Sequence, residues 1–229
     1  MCFSAQASFV AGVSLSVAGV ATLRVARKRS EIPFAMIPLL FGLQQLTEGA
    51  IWLTFGHDTP LLQLRLTWVY STFSHVLWPI YVPFAIGFLE NNPWRKRTIG
   101  AFQVIGITVG LYLLYWLAVG PVVAEVVDRH IVYLSPHFHV MSVMVLYLAA
   151  TCVSCFFSSH RFVNLFGVLA LLSFITAYFV EERALVSIWC FFAAILSLLV
   201  YLHLRYRSLG GFPHETDAPS EFGEPVISL

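Results

Sequence analysis

Charged residues are scarce in this sequence. Asp, Glu, Lys and Arg make up 11% of its 229 residues, against about 25% in an average soluble protein. The formal net charge is +1, which gives no basic surface for nucleic acid. Apolar residues make up 59% of the chain and the mean hydropathy is +0.80. These values predict an integral membrane protein, with the lipid bilayer as a partner.

Lysine is almost absent, and this excludes a retinal protein, which needs a helical lysine for its Schiff base. Lys28 and Lys96 are the two lysines, and both lie between the long apolar runs. Histidine is scarce in those runs: His75 lies near the middle of one, His139 at the start of the fifth and His203 at the end of the last. A haem held by two histidines at one depth is therefore excluded, and no cofactor is predicted.

The four cysteines do not predict a redox centre. Cys152 and Cys155 lie three residues apart on one predicted helix, without the soluble fold that surrounds a reactive Cys-x-x-Cys pair. Cys2 and Cys190 are both predicted on the outer side, where they could pair or bind a metal.

Apolar runs of about 20 residues are long enough to cross the hydrocarbon of a bilayer. The sequence predicts an all-α, polytopic membrane protein with seven transmembrane helices in one domain, residues 1–207. The remaining 22 residues, 208–229, contain Gly, Pro and four acidic residues, and predict a flexible acidic cytoplasmic tail. The seven runs are Ser4–Leu23, Pro33–Phe55, Leu66–Leu89, Ile99–Val119, Phe138–Ser158, Phe162–Val180 and Ala184–Leu204.

Positive charge is distributed unequally between the two sides of these helices. Lys and Arg favour cytoplasmic loops, and ten of the 13 fall on one side. The N-terminus is therefore predicted outside and the C-terminus in the cytoplasm, as in a multi-pass protein of the bacterial inner membrane. The ten are Arg24, Arg27, Lys28, Arg29, Arg95, Lys96, Arg97, Arg161, Arg205 and Arg207.

Small residues recur every four positions in the first run, at Ser4, Ser8, Gly12 and Ser16. This spacing predicts a face on which another helix packs closely.

Glu48 lies within the second run, where a carboxylate costs about 2.5–3.5 kcal/mol on insertion scales. Such a group persists where it faces protein or water. Gln44 lies four residues before it, Gln45 three before it and Trp52 four after it, so these residues share one face of the helix. They predict a polar and aromatic stripe inside the protein.

The third run carries Ser71 and His75 and then two prolines, Pro79 and Pro83. Proline has no N–H, so the carbonyl of His75 loses its helical partner and the helix is expected to kink. Because Glu48 and His75 are both costly inside a membrane, we expect them to belong to one site.

Most polar residues of the predicted spans and loops collect on the outer side. Cys190 lies in the outer half of the last helix, and His130 lies in the longest outer loop, Pro121–His137, which is the natural lid. We therefore predict an outward-facing pocket that binds or passes a small ligand or ion, in a receptor-like or transporter-like protein.

Two other functions remain open. Ser71-x-x-x-His75 resembles part of the zinc site of the alkaline ceramidase and adiponectin-receptor hydrolases, but Leu199 stands where the expected His-x-x-x-His would place its first histidine before His203. An intramembrane, metal-assisted hydrolase of lipid-soluble substrates would need zinc ligands such as Glu48, His75 and Cys190. A purely structural or assembly role is the third hypothesis.

Several segments resemble an uncharacterised bacterial family of membrane proteins, a domain of unknown function. The resemblance covers the chain except its tail, and it implies no activity and no catalytic residues. It is carried by Met1-Cys2-Phe3-Ser4-Ala5, Leu39-Leu40-Phe41, Gln45, Glu48-Gly49, Trp52, His130-Ile131-Val132-Tyr133, Ala150-Thr151-Cys152, Ser158-Ser159, Arg161, Ser187-Ile188-Trp189-Cys190 and His203.

Overall fold

The computed structural model describes residues 4–127, 130–134, 139–180 and 185–208. These residues form helices, joined by short turns, and one hairpin. The helices are α1 (Ala5–Val25), α2 (Ile32–Ala35), α3 (Ile37–Thr54), α4 (Pro60–Ser71), α5 (Trp78–Leu89), α6 (Pro93–Val119), α7 (Val140–Leu148), α8 (Ser154–Phe156), α9 (Arg161–Val180), α10 (Leu185–Leu196) and α11 (Leu198–Ser208). The strands are β1 (Val123–Val127) and β2 (His130–Leu134), and π-helical turns occupy Thr72–Leu77 and Ala149–Val153.

Six helical segments of the described chain are long and apolar enough to cross a membrane, which confirms the helical, membrane-type architecture. The predicted fifth span, Phe138–Ser158, corresponds to the shorter segment Val140–Phe156. Its 17 residues reach about 26 Å at 1.5 Å per residue, less than the roughly 30 Å of hydrocarbon. The seventh span therefore stays a prediction. The six are Ala5–Val25, Arg29–Thr54, Pro60–Leu89, Pro93–Val119, Arg161–Val180 and Leu185–Tyr206.

Two predictions fall on the chain ends. Cys2 lies outside the described residues, and so does the predicted tail apart from Ser208, which ends α11.

Helices α1 and α3 pack closely through small residues, as the sequence predicts. A Cβ atom on Gly12 would lie 2.7 Å from Leu46 Cγ, and one on Gly19 would lie 2.5 Å from the Leu39 backbone nitrogen. Ser8 and Gly12 are buried on this face. Backbone approach at this distance is available to glycine alone among the residues, and it fixes α3 against α1.

The segment Pro60–Leu89 departs from α-helical winding where its prolines predict irregularity. The π-helical turn Thr72–Leu77 carries His75 and ends just before Pro79. Pro83 removes the helical partner of the Pro79 carbonyl. That oxygen is directed at Gly106 of α6, where a Cβ would come impossibly close to it. Gly106 therefore lets α6 lie against the irregular helix.

The largest buried apolar cluster has α5 at its centre. Trp78, Val82, Ile86 and Leu89 belong to it, and it extends to residues of α3, α6, α9 and α10.

The connection between α6 and α7, predicted as a loop, contains an antiparallel hairpin. Val123 pairs with Leu134 and Val127 pairs with His130. The β-branched residues of 122–134 favour strands, and this was the signal in the sequence that could have identified them. Ala124 and Ile131 are buried against Ile51 and Tyr70, so the hairpin covers one end of the helices.

Candidate functional site

Helix α3 carries three polar side chains into the interior. Gln44, Gln45 and Glu48 are each 0% exposed, and their spacing places them within one turn of each other. We call these three, together with Ser187 and Cys190 of α10, the Glu48 cluster.

Glu48 joins α3 to α10 and to the hairpin. Ser187 Oγ donates a hydrogen bond of 2.6 Å to Glu48 Oε1. The Tyr133 hydroxyl of β2 reaches the same oxygen at 3.4 Å, which is long for a bond between two oxygens. The hairpin contact is therefore the weaker of the two.

Tyr133 is held over the cluster by an aromatic partner. Its ring stacks on that of Tyr70, with centroids 4.2 Å apart. Gln63 Nε2 donates to the Ala124 carbonyl at 3.2 Å and ties β1 to α4. His130, a predicted site residue, is buried at the start of β2. The hairpin thus covers the Glu48 cluster.

A second bridge runs from Gln44 to α5. Trp78 Nε1 donates to Gln44 Oε1 at 2.7 Å, and its ring stacks on Phe41 at 3.8 Å between centroids. The Cys190 thiol lies beside Gln44, Glu48 and Tyr70. The structure therefore brings together Gln44, Glu48 and Cys190, which the sequence placed on two different helices.

Ser71 and His75 lie on the segment that precedes Trp78 in the chain. Ser71 is buried at the end of α4, and His75 Nδ1 lies 2.8 Å from Ser74 Oγ in the π-helical turn. The Tyr147 hydroxyl donates to the Ser74 carbonyl at 2.5 Å, so α7 is fastened to the same turn. A direct pairing of Glu48 with His75 stays a prediction.

Several buried polar atoms around Glu48 have no hydrogen-bond partner among the described residues. They include both atoms of the Gln45 amide, Trp52 Nε1 and Ser71 Oγ. Buried polar groups are nearly always satisfied, and each one that is not costs roughly 1–3 kcal/mol. This concentration separates the cluster from ordinary interior polar contacts.

A small apolar cavity adjoins the Glu48 cluster. Its volume is about 30 Å³, which exceeds the roughly 10–15 Å³ that one water molecule needs. Trp78 and Cys190 belong to both the cavity wall and the contacts just described. The wall consists of Phe41, Trp78, Val82, Tyr147, Thr151, Cys152, Phe166, Ala170, Trp189, Cys190 and Ala193.

The predicted metal ligands are not gathered into a metal centre within the described ranges. There, no group of three or more His, Cys, Asp and Glu side chains is placed to hold an ion. The zinc hypothesis, with Glu48, His75 and Cys190 as ligands, gains no support from this geometry. Cys152, Cys155 and Cys190 are free thiols in the structure.

A second buried carboxylate, which the sequence did not single out, lies at the end of α5. Glu90 accepts from the Asn92 backbone N–H at 3.0 Å and from the Ser159 backbone N–H at 2.7 Å. The Ser159 hydroxyl lies 2.9 Å from each carboxylate oxygen. Burial raises the pKa of the Glu90 carboxyl, but these hydrogen bonds and nearby His160 outweigh it and hold the pKa below its usual value.

Comparison with known sequences places the chain in a group without an assigned role. A family model described as a family of unknown function (DUF6629) matches residues 1–214. The chain belongs to this family. No curated protein and no solved structure matches it. Membership confirms the predicted resemblance to a domain family of unknown function, and the match covers every residue of the Glu48 cluster.

Sequence reasoning found the α3 stripe but not its partners in the tertiary structure. Tyr70, Trp78 and Tyr133 contact the cluster without having been predicted as site residues. Trp78 follows His75 by three residues, and Tyr133 lies in a segment rich in β-branched residues. Neither pattern predicts which side chain of another helix or strand Trp78 or Tyr133 will contact.

Proposed function

We propose that this protein is a multi-pass protein of the bacterial inner membrane that binds or passes a small ligand or ion at the Glu48 cluster. The observation that supports it most is the set of buried hydrogen-bonding atoms without a partner in the described chain, above all the Gln45 amide. A polar group in a membrane interior is costly and usually serves function. A ligand with hydrogen-bonding groups offsets that cost when it binds.

The side chains of the Glu48 cluster restrict which hydrogen-bonding groups and which charge such a ligand carries. The Glu48 carboxylate accepts hydrogen bonds and attracts positive charge, whereas the Gln45 amide both donates and accepts. Trp52 Nε1 adds a donor one turn away. The ligand of the proposed site is thus small and polar and carries at least one donor, with Ser71, His75 and His130 as neighbouring groups.

The hairpin acts as the lid in this proposal. Its Tyr133 ring stacks on Tyr70, and its hydroxyl makes the long contact to Glu48. Because this bond is weak, a ligand that binds Glu48 would replace it at little cost.

Access from the outer face follows from the orientation that the loop charges predict. Alkaline phosphatase fused after Leu204 should be inactive, and fused near Asp128 it should be active. The reverse pattern would overturn the orientation and place the lid on the cytoplasmic side.

Labelling of Cys190 tests access to the site directly. A membrane-impermeant thiol reagent is added to intact spheroplasts, and peptide mass spectrometry reads each cysteine separately. Cys190 should react slowly in the native protein, in which it is 5% exposed, and several-fold faster in Tyr133→Ala, because the roof over the cluster is opened. Cys152, which is 0% exposed, is the internal control.

Tyr133→Phe is the matched control variant, since it keeps the stack on Tyr70 and removes the hydroxyl alone. It should accelerate labelling less than Tyr133→Ala. Labelling that occurs in inside-out vesicles alone, or is equal in all three proteins, would refute an outward-facing site beneath the hairpin.

A further inference from the structure

One end of the helix bundle brings together segments that lie far apart in the chain. Glu90, at the end of α5, is bonded to Ser159, just before α9. The ring of His203 on α11 packs against Phe162 of α9 and Phe34 of α2, with centroids 5.6 and 5.9 Å apart. The α1–α2, α5–α6 and α8–α9 connections and the last turns of α11 therefore lie at this end of the molecule.

Exposed basic side chains are concentrated at this end, and we call this surface the basic end. They come from four separate stretches of the chain, so that the fold collects positive charge that the sequence distributes over 180 residues. Those described as exposed are Arg24, Arg27, Lys28, Arg29, Lys96, Arg97, Arg161 and Arg205.

The acidic residues described at this end are turned inward. Glu31 is 7% exposed, and its Oε2 accepts from the backbone N–H groups of Arg27 and Lys28 at 2.9 and 3.2 Å. Glu90 is bonded in the same manner to the backbone N–H groups of Asn92 and Ser159. Both carboxylates are thus used inside the fold, and the described surface of the basic end carries positive charge alone.

Exposed aromatic side chains adjoin the basic residues at the α5–α6 connection. Phe84 and Phe88 lie on one face of α5 with their rings 4.7 Å apart, and Trp94 at the start of α6 is 60% exposed. Tryptophan favours the boundary between headgroups and acyl chains. Lys96 and Arg97 follow Trp94 by two and three residues, which places them at the depth of the lipid headgroups.

Lys and Arg bind phosphate groups by charge-assisted hydrogen bonds, and clusters of them beside membrane spans attract anionic lipids. We propose that the basic end binds anionic phospholipids in preference to zwitterionic ones. The phosphate groups lie at the exposed Lys and Arg side chains, and the acyl chains lie along Phe84 and Phe88. This binding is independent of the Glu48 cluster and of the side of the membrane that the basic end faces.

The test uses the purified full-length chain in detergent, with an equimolar mixture of phosphatidylglycerol and phosphatidylcholine as the probe. Native mass spectrometry measures how much of each lipid stays bound. Phosphatidylglycerol should be retained several-fold more than phosphatidylcholine. It should also raise the midpoint of thermal unfolding, whereas inorganic phosphate at the same concentration should not.

Replacing the basic residues beside Trp94 tests where the lipid binds. The double variant Lys96→Gln, Arg97→Gln should reduce the preference for phosphatidylglycerol several-fold, because two of the charges that attract the headgroup are removed. Arg65→Gln is the matched control, since Arg65 is exposed near the start of α4, at the opposite end of the bundle. It should leave the preference unchanged.

A second double variant, Arg24→Gln, Arg29→Gln, guards against a loss caused by misfolding. Both residues are exposed, so the midpoint of thermal unfolding without lipid should stay that of the native protein while the preference for phosphatidylglycerol falls. Equal retention of the two lipids by the native protein would overturn the proposal. So would an equal loss of preference in Arg65→Gln, or a shift of the midpoint by inorganic phosphate as large as that by phosphatidylglycerol.

Discussion

Glu48 and Glu90 are both buried, at 0% and 2% exposure, but the protein surrounds them differently. Glu90 receives bonds on both oxygens from the backbone and side chain of Ser159 and from Asn92. Around Glu48, the amide of Gln45 and the indole nitrogen of Trp52 have no hydrogen-bond partner in the described chain.

Arg95 strengthens the Glu90 end of the bundle further. Its Nη1 donates to the carbonyls of Phe157 and Ser158 at 3.2 and 3.1 Å. Together with Glu90 it fixes the turn between α8 and α9 against α5 and α6. A fully bonded carboxylate stabilises a connection, whereas a carboxylate among unsatisfied amides lies in a place suited to binding. The comparison predicts opposite responses to mutation.

The largest expected effect is at Glu90. Glu90→Ala leaves the N–H groups of Asn92 and Ser159 and the Ser159 hydroxyl without their acceptor, and should lower the free energy of unfolding by about 2–4 kcal/mol. Denaturant titration in mild detergent measures it. Glu125→Ala, at an exposed position of β1, is the control and should change stability by less than about 0.5 kcal/mol. Equal losses of stability in Glu90→Ala and Glu125→Ala would contradict a structural role for Glu90.

Gln44 should behave as a structural residue within the Glu48 cluster. Gln44→Met leaves the buried Trp78 N–H without its acceptor and should destabilise the protein by about 1–3 kcal/mol. The same titration checks this. A stability unchanged by Gln44→Met would mean that the bridge to α5 contributes nothing.

Gln45 should respond with the opposite sign. Gln45→Met replaces an amide whose two polar atoms have no partner in the described residues, so it should stabilise the protein by about 0.5–2 kcal/mol. Gln44→Met is the matched comparison at the neighbouring buried position. If Gln44→Met and Gln45→Met destabilised the protein by similar amounts, the proposed difference between the surroundings of Glu48 and Glu90 would be refuted.

If Glu48 were paired with His75, its carboxylate would be bonded more nearly as the Glu90 carboxylate is. If they pair, Glu48→Gln and His75→Gln should each destabilise the protein. The destabilisation of the double mutant should then be about 1 kcal/mol smaller than the sum of the two single destabilisations. A double-mutant cycle on unfolding in detergent measures this. Additive effects would mean that the two residues act separately.

The smallest effect expected is the dependence of stability on pH at Glu90. Its pKa is lowered in the folded protein, so its contribution is complete above the unfolded value of about 4.3 and is lost as pH falls through the folded value. The difference in stability between native protein and Glu90→Gln should narrow as the pH falls below about 4. A difference that stays constant to about pH 3 would contradict the lowered pKa.

The sequence by itself determined the helical membrane architecture, because apolar runs of span length and small residues at intervals of four are local patterns. It also identified the stripe Gln44, Gln45 and Glu48, since residues three and four apart share a face of any helix. The irregular winding near His75 followed from Pro79 and Pro83, because a missing N–H affects a known carbonyl.

The tertiary structure alone decided which of these polar residues are satisfied. Gln44 and Gln45 are neighbours of one type, yet Trp78 lies within 2.7 Å of the first and no described donor or acceptor reaches the second. Glu90 was passed over because its main partner, Ser159, is 69 residues away. Hydrogen bonds form between groups a few ångströms apart in space, and sequence spacing fixes such distances within a helix but not between helices.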